Sequence, residues 1–140
     1  MGIGTKKIRK ATPPELCPLN DAGNALDFVN RYQDQIRYVP EWKQWLLWDG
    51  TRWEKDNVTS SGINRLTEDH RRSLLREAAL ASVRSQSDEL AKRGAAMGMA
   101  HKRTAMLSIA LHDARIQVSQ AIIDADSYLC LLYTSDAADE

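Results

Sequence analysis

The spacing of apolar positions along this chain changes twice, and each change marks a new kind of element. From Asn20, the stretch NDAGNALDFVNRYQDQ places Ala22, Ala25, Leu26, Phe28, Val29 and Tyr32 at the intervals of one helix face. Asn20 or Asp21 supplies a side-chain cap, and the pattern predicts a helix over 21–33 whose first turn is weakened by Gly23. The following stretch, IRYVPEWKQWLLWDGTRWEKD, is dense in the aromatic and branched residues that suit a pleated, half-buried surface. Asp49-Gly50 signals a two-residue hairpin, because a type I′ turn needs φ > 0 at both central positions. Such a turn pairs Trp48 with Thr51, Leu47 with Arg52 and Leu46 with Trp53. Leu46, Trp48 and Trp53 then share one face, while Trp45 and Leu47 share the other with Arg52 and Glu54. A lone hairpin is marginal in water, and IRYV before Pro40 is the natural third strand.

After the polar linker NVTSSG the helical period returns. Leu66, Leu74, Leu75, Ala78, Ala79, Ala81, Val83 and Leu90 form a broad stripe, with Thr67 as a cap and Gly94 as the stop. Gly98 marks a break. Beyond it Ala100, Thr104, Leu107, Leu111, Ala114 and Val118 define a second helix with one packing seam, and IIDADSYL leaves that helix. The predicted fold class is α+β: an N-terminal helix, a small antiparallel hairpin or three-stranded sheet, then a long antiparallel helical hairpin. The organisation that follows is a flexible, basic, proline-containing arm over 1–19 and a domain over 20–129. Within the domain, 20–56 holds the helix and the tryptophan-rich hairpin, and 63–119 holds the helical hairpin. Residues 130–140 have no period, no cap and no basic residue.

The formal net charge of +0 conceals an uneven distribution. Lys6, Lys7, Arg9 and Lys10 make the arm basic, residues 63–119 carry more basic than acidic groups, and the last twenty residues carry acids alone. Lys6, Lys7, Arg9, Lys10, Arg65, Arg72, Arg76, Lys102 and Arg103 are therefore candidate DNA contacts, weighed against a merely solvated face. The aromatic string Trp45, Leu46, Trp48, Asp49, Gly50 and Trp53 reads first as core. If a tryptophan is exposed as a base-stacking platform, Trp42 or Trp45 is expected rather than Trp48 or Trp53. Catalytic chemistry is poorly represented. Cys17 and Cys130 match no metal or redox spacing, and the single glycines form no phosphate loop. His101 and His112 stand ~16 Å apart along one helix and cannot share a metal. The histidines are expected to be partly exposed, Asp69 and His70 to point apart at a charged helix start, and the Asp124/Asp126 pair to sit in a solvated turn. No apolar run reaches the ~18 residues of a membrane span.

The stretch DAGNALDFVNRYQDQIRYVPEWKQWLLWDGTRWEKD resembles the segment preceding the helicase domain in phage and plasmid DNA primase–helicases of helicase superfamily 3. The resemblance rests on Asn24-Ala25, Arg37 to Pro40, Trp42, Trp45-Leu46, Trp48 to Gly50, Trp53 and Asp124 to Leu129. It covers roughly residues 20–129. It implies an accessory region that positions or assembles an ATPase and contacts DNA, with the helicase domain as partner and a homo-oligomer in the parent. ATP and magnesium are implied only for that following domain. No cofactor, metal or catalytic residue is carried onto this chain, which is read as no enzyme by itself. A bacterial host cytoplasm and no membrane partner follow from the same reading. The alternative is a free-standing adaptor whose helical hairpin binds protein.

CLLYTSDAADE departs from the family pattern at Cys130. All eleven residues can be encoded, in frame, by a transposon-end adapter used in preparing sequencing libraries. The expectation is a gene interrupted near Leu129 and a tail translated from adapter.

Overall fold

The computed structural model describes residues 17–125. The elements run α1 (Asp21–Tyr32), β1 (Ile36–Val39), β2 (Gln44–Trp48), β3 (Trp53–Lys55), α2 (Ser61–Leu80), α3 (Arg84–Ala96), α4 (Ala100–Ala110) and α5 (Gln120–Ala125). The fold is α+β, with a helix, a three-stranded antiparallel sheet and then helices. Residues 1–16 and 126–140 lie outside the described set, and with them Lys6, Lys7, Arg9, Lys10 and the tail.

By packing, the described chain forms two compact units. One comprises 17–32 and Thr67–Ala110, the other Gln33–Leu66 and 111–125. The boundary falls inside α2.

In the first unit, α1 begins as its sequence demands. Asn20 Oδ1 accepts the Gly23 N–H at 2.7 Å, and the Asn20 carbonyl accepts the Asn24 N–H. Gly23 has a reason to be glycine beyond helix propensity: a Cβ there would lie 1.7 Å from the Pro18 carbonyl oxygen. The expected α1 stripe is buried at Ala25, Phe28 and Val29, but Asn24 and Asp27 are buried as well. On α2 the inward positions are Thr67, His70, Leu74 and Ala78. Thr67 is thus a buried interior residue and not the cap the sequence suggested, because the helix starts at Ser61. The predicted helical hairpin is present, with its corner moved to 81–83. There Val83 is extended and the Ser87 hydroxyl donates to the Ala78 carbonyl at 2.7 Å. Gly94 is not the stop. It lies inside α3, where a Cβ would meet Leu75 Cδ2 at 2.8 Å, so glycine lets α3 return against α2. The predicted seam on α4 is also corrected. Ala100 and Thr104 are exposed, whereas Met106 and Ala110 are buried, and the helix ends at Ala110.

In the second unit, the sheet order is β1-β2-β3. Val39 pairs with Gln44 and Arg37 with Leu46. Across β2 and β3, Trp48 pairs with Trp53 and Leu46 with Lys55, two residues out from the register of a type I′ turn. The cause is Asp49, whose carboxylate accepts the N–H groups of Thr51 and Arg52 at 2.7 and 2.8 Å. Those residues are thereby drawn into a four-residue loop, with Gly50 at φ 106. A slip of two keeps every side chain on its face. Val39, Leu46 and Trp53 still form one core, closed by Ile123 with Trp42, Trp48 and Val118. The opposite face buries Ile36 and Trp45. Ile123 belongs to α5, so IIDA is helical where a departure from helix was expected; Ser119 Oγ accepts the Ile122 N–H at 3.3 Å as its cap.

Asp56 joins sheet to helix inside this unit. Its Oδ1 accepts the Gly62 N–H at 2.8 Å and its Oδ2 the Ile63 N–H at 2.9 Å, satisfying donors that the first turn of α2 cannot pair internally. Asn57 Oδ1 adds the Ser61 N–H at 3.0 Å, and Ser60 takes the left-handed conformation at φ 57. Gly62 lets the turn close, since a Cβ would fall 2.4 Å from Leu47 Cδ1 and 2.5 Å from Asp56 Oδ1. Replacing Asp56 by Ala is expected to lower stability by about 2–4 kcal/mol, a lost cap plus buried unpaired donors. Urea unfolding measures this, and a loss below about 0.5 kcal/mol, the scale of an ordinary surface substitution, would show the cap to be incidental.

Candidate nucleic-acid interface

Two charged clusters lie in the first unit, and their surroundings give them different properties. The buried one starts from Asp27 on α1. Arg31 Nε donates to both Asp27 oxygens at 3.1 Å, and the Arg31 terminal nitrogens reach Glu77 on α2 at 2.7 and 2.9 Å. Burial works against the Arg31 charge, but the bonds from Glu77 and Asp27 win and hold its pKa above the ordinary value. From α3, buried Arg93 donates to Asn24 Oδ1 at 2.7 Å and to the Cys17 carbonyl at 2.6 Å. Cys17, within the segment expected as an arm, is itself buried. A cleft of about 210 Å³ opens beside Asp27, Arg31 and Arg93, walled by Glu77, Glu89 and Leu90.

His70 closes the base of this cluster and overturns the expectation of a partly exposed histidine. It is fully buried, edge-on to Phe28 and Tyr32 with ring centroids 5.3 Å away. Nε2 stands 3.9 Å from Asp27 Oδ2, and neither ring nitrogen has a hydrogen-bond partner. Burial, reinforced by the Arg31 and Arg93 charges, depresses its pKa from 6.5 to about 3. A neutral, enclosed ring of this kind packs helices and is not poised for proton transfer near neutral pH.

The second cluster is half-buried at Glu68, Arg71 and Arg103 and opens to solvent at Arg72. Glu68 on α2 meets Arg71 and Arg72 one turn on, at 2.6 and 3.2 Å from Oε2. Arg103 on α4 reaches Oε1 of the same carboxylate at 2.7 Å, and its Nε caps the Met97 carbonyl just after α3 at 2.5 Å. Three guanidiniums thus surround one carboxylate. The Arg71 bond leads in lowering the Glu68 pKa to about 2, and Arg71 is raised in turn by Glu68.

The candidate DNA contacts therefore separate. Arg72 and Arg103 converge on Glu68, whereas Lys102 lies apart from that carboxylate, 3.6 Å from Asp21. Arg65 and Arg76 are exposed. Arg71 was missed, although a glutamate three residues ahead of it was a readable signal. His101 and His112 are exposed as expected. In the second unit, Trp45 and Trp53 are buried while Trp42 and Trp48 are half-buried. Trp45 is thus core, in edge contact with Tyr38 at 5.0 Å, and not the exposed tryptophan of the stacking alternative. Trp42 Nε1 donates to Gln120 Oε1 at 3.1 Å, and Lys55 lies over its ring. Among the described residues no group of three or more His, Cys, Asp or Glu is placed to hold a metal ion, and no helix is long and apolar enough to cross a membrane.

A family model described as "D5 N terminal like" matches residues 25–132. The chain belongs to the D5 N-terminal-like family. Searches of curated proteins and of solved structures found no match. The D5 N-terminal domain is the non-catalytic N-terminal domain of phage and plasmid primase–helicases. The match runs three residues past Leu129 and covers α1 from Ala25 on, the sheet and every residue of both charged clusters except Asn24 and Cys17.

The buried histidine gives this D5 N-terminal domain a specific acid sensitivity. Between pH 6.5 and about 3 the unfolded chain binds a proton at His70 that the folded chain excludes. The stability owed to neutral His70 is complete above pH 6.5 and declines as pH falls toward 3. The slope is at most about 1.4 kcal/mol per pH unit. His70→Leu, of similar volume and without ring nitrogens, is expected to flatten this dependence in urea titrations at pH 7 and pH 5, with wild-type stability retained at pH 7. An unchanged slope would assign the acid sensitivity to other groups.

Proposed function

We propose that this chain is the accessory N-terminal region of a phage or plasmid replication primase–helicase, that it positions or helps assemble the following ATPase, and that it contacts DNA. The family match carries this reading. Its supports are the excess of basic groups over 63–119 and the exposed arginines of α2. The partners are DNA, the helicase domain and further copies of the parent chain, in the cytoplasm of a bacterial host. ATP and magnesium belong to the helicase domain.

A second reading, a protein-binding adaptor, draws on one observation: Leu80 and Val83 are exposed at the α2–α3 corner.

Electrophoretic mobility on single- and double-stranded DNA at two salt concentrations separates the readings. Retarded DNA at low salt, released at high salt, is expected, because phosphate contacts release condensed counterions. Self-association without any retardation would favour the adaptor. The purified chain is expected to hydrolyse no ATP, and hydrolysis would refute a motor-less region.

A further inference from the structure

We propose that the Glu68 cluster is a phosphate-binding site in which Arg71, Arg72 and Arg103 take the backbone of a nucleic acid. This deepens the DNA reading above and rests on it. The two clusters of the first unit supply the contrast. In the buried one, Arg31 and Arg93 meet Asp27, Glu77 and backbone carbonyls, so their charge is matched. Around Glu68, three guanidiniums share one carboxylate, and two positive charges remain uncompensated within the cluster.

The donors are also free to act. A guanidinium carries five N–H groups. Arg72 uses only Nε on Glu68, and its side chain is 64% exposed. Arg71 uses Nε and one terminal nitrogen, and Arg103 uses Nε and one terminal nitrogen. Each therefore keeps at least one unused terminal amino group. Glu68 holds Arg71 in a two-point bond at 3.0 and 2.6 Å, and the Met97 carbonyl holds Arg103. The cluster is preorganised by one carboxylate and one helix end, which lowers the ordering entropy that a flexible basic patch loses on binding. Planar guanidiniums with paired N–H groups fit phosphate oxygens better than lysines do. Lys102, next in sequence to Arg103, instead lies near Asp21 and α1.

Fluorescence anisotropy of the whole chain with a labelled oligothymidine and a labelled duplex, across a salt series, tests the site. Arg72→Gln is the clean variant, because the side chain is exposed and holds no helix end. It is expected to weaken binding about three- to tenfold at low salt and to lower the salt slope by about 0.7 on the single strand or 0.9 on the duplex, one phosphate contact. Arg71→Gln is expected to act likewise. Lys43→Gln, exposed on the second unit and outside both the cluster and the basic 63–119 stretch, is expected to change binding less than twofold. Undiminished binding in both cluster variants overturns the site while the DNA reading stands. An equal loss in Lys43→Gln shows diffuse charge and also overturns the site. If the wild-type chain binds neither DNA, the DNA reading falls, and pyrophosphate becomes the deciding probe. Pyrophosphate-dependent shifts of the Arg71, Arg72 and Arg103 Nε–H resonances then reassign the cluster to a free phosphate anion. The absence of such shifts overturns it.

Discussion

The carboxylate of Asp56 is the constraint on which the path of the longest helix depends. It follows β3 directly, and it binds two N–H groups that the first turn of α2 would otherwise leave unpaired. An unpaired buried donor costs about 1–3 kcal/mol, so the helix starts where this carboxylate can reach it. Along α2, the three- and four-residue spacing puts Thr67, His70, Leu74 and Ala78 on one inward line and Glu68, Arg71 and Arg72 together on a neighbouring one. A helix begun at Thr67, as its cap-like sequence invites, would have left the turn before it without a face to bury.

The inward line of α2 is more polar than a minimal core would be. A buried, unpartnered histidine is an unfavourable neighbour for two arginines, and its neutrality is the response. Asp27 makes the arrangement tolerable. It receives Arg31 directly and lies 3.9 Å from both Arg93 and His70, so one carboxylate offsets charge arriving from two helices.

The arginines around Glu68 follow a different logic. One carboxylate is too little to neutralise three guanidiniums, and water, reaching the cluster most freely at Arg72, screens the surplus. This member of the D5 N-terminal-like family thus presents ordered positive charge on the unit built from α1, α3, α4 and most of α2.

The sequence by itself determined the α+β class, the α1 helix, the three strands and the faces of the sheet, because these follow from local periodicity that tertiary contacts did not need to supply. It also determined the family, since the tryptophan string around Asp49-Gly50 is specific. The hairpin register was misread by two residues because an Asp-Gly pair signals a turn without stating how many N–H groups the aspartate will take. The corner at 81–83 had no proline or glycine to announce it; it exists because Gly94 lets α3 lie back on Leu75. Likewise, nothing in the TEDH string distinguishes a buried His70 from an exposed one, or shows that Arg103 joins Glu68 from a helix thirty-five residues away. Burial and charge pairing across such distances arise only when separate helices meet. Tertiary structure alone therefore decided which histidine stays neutral and which arginines stand together.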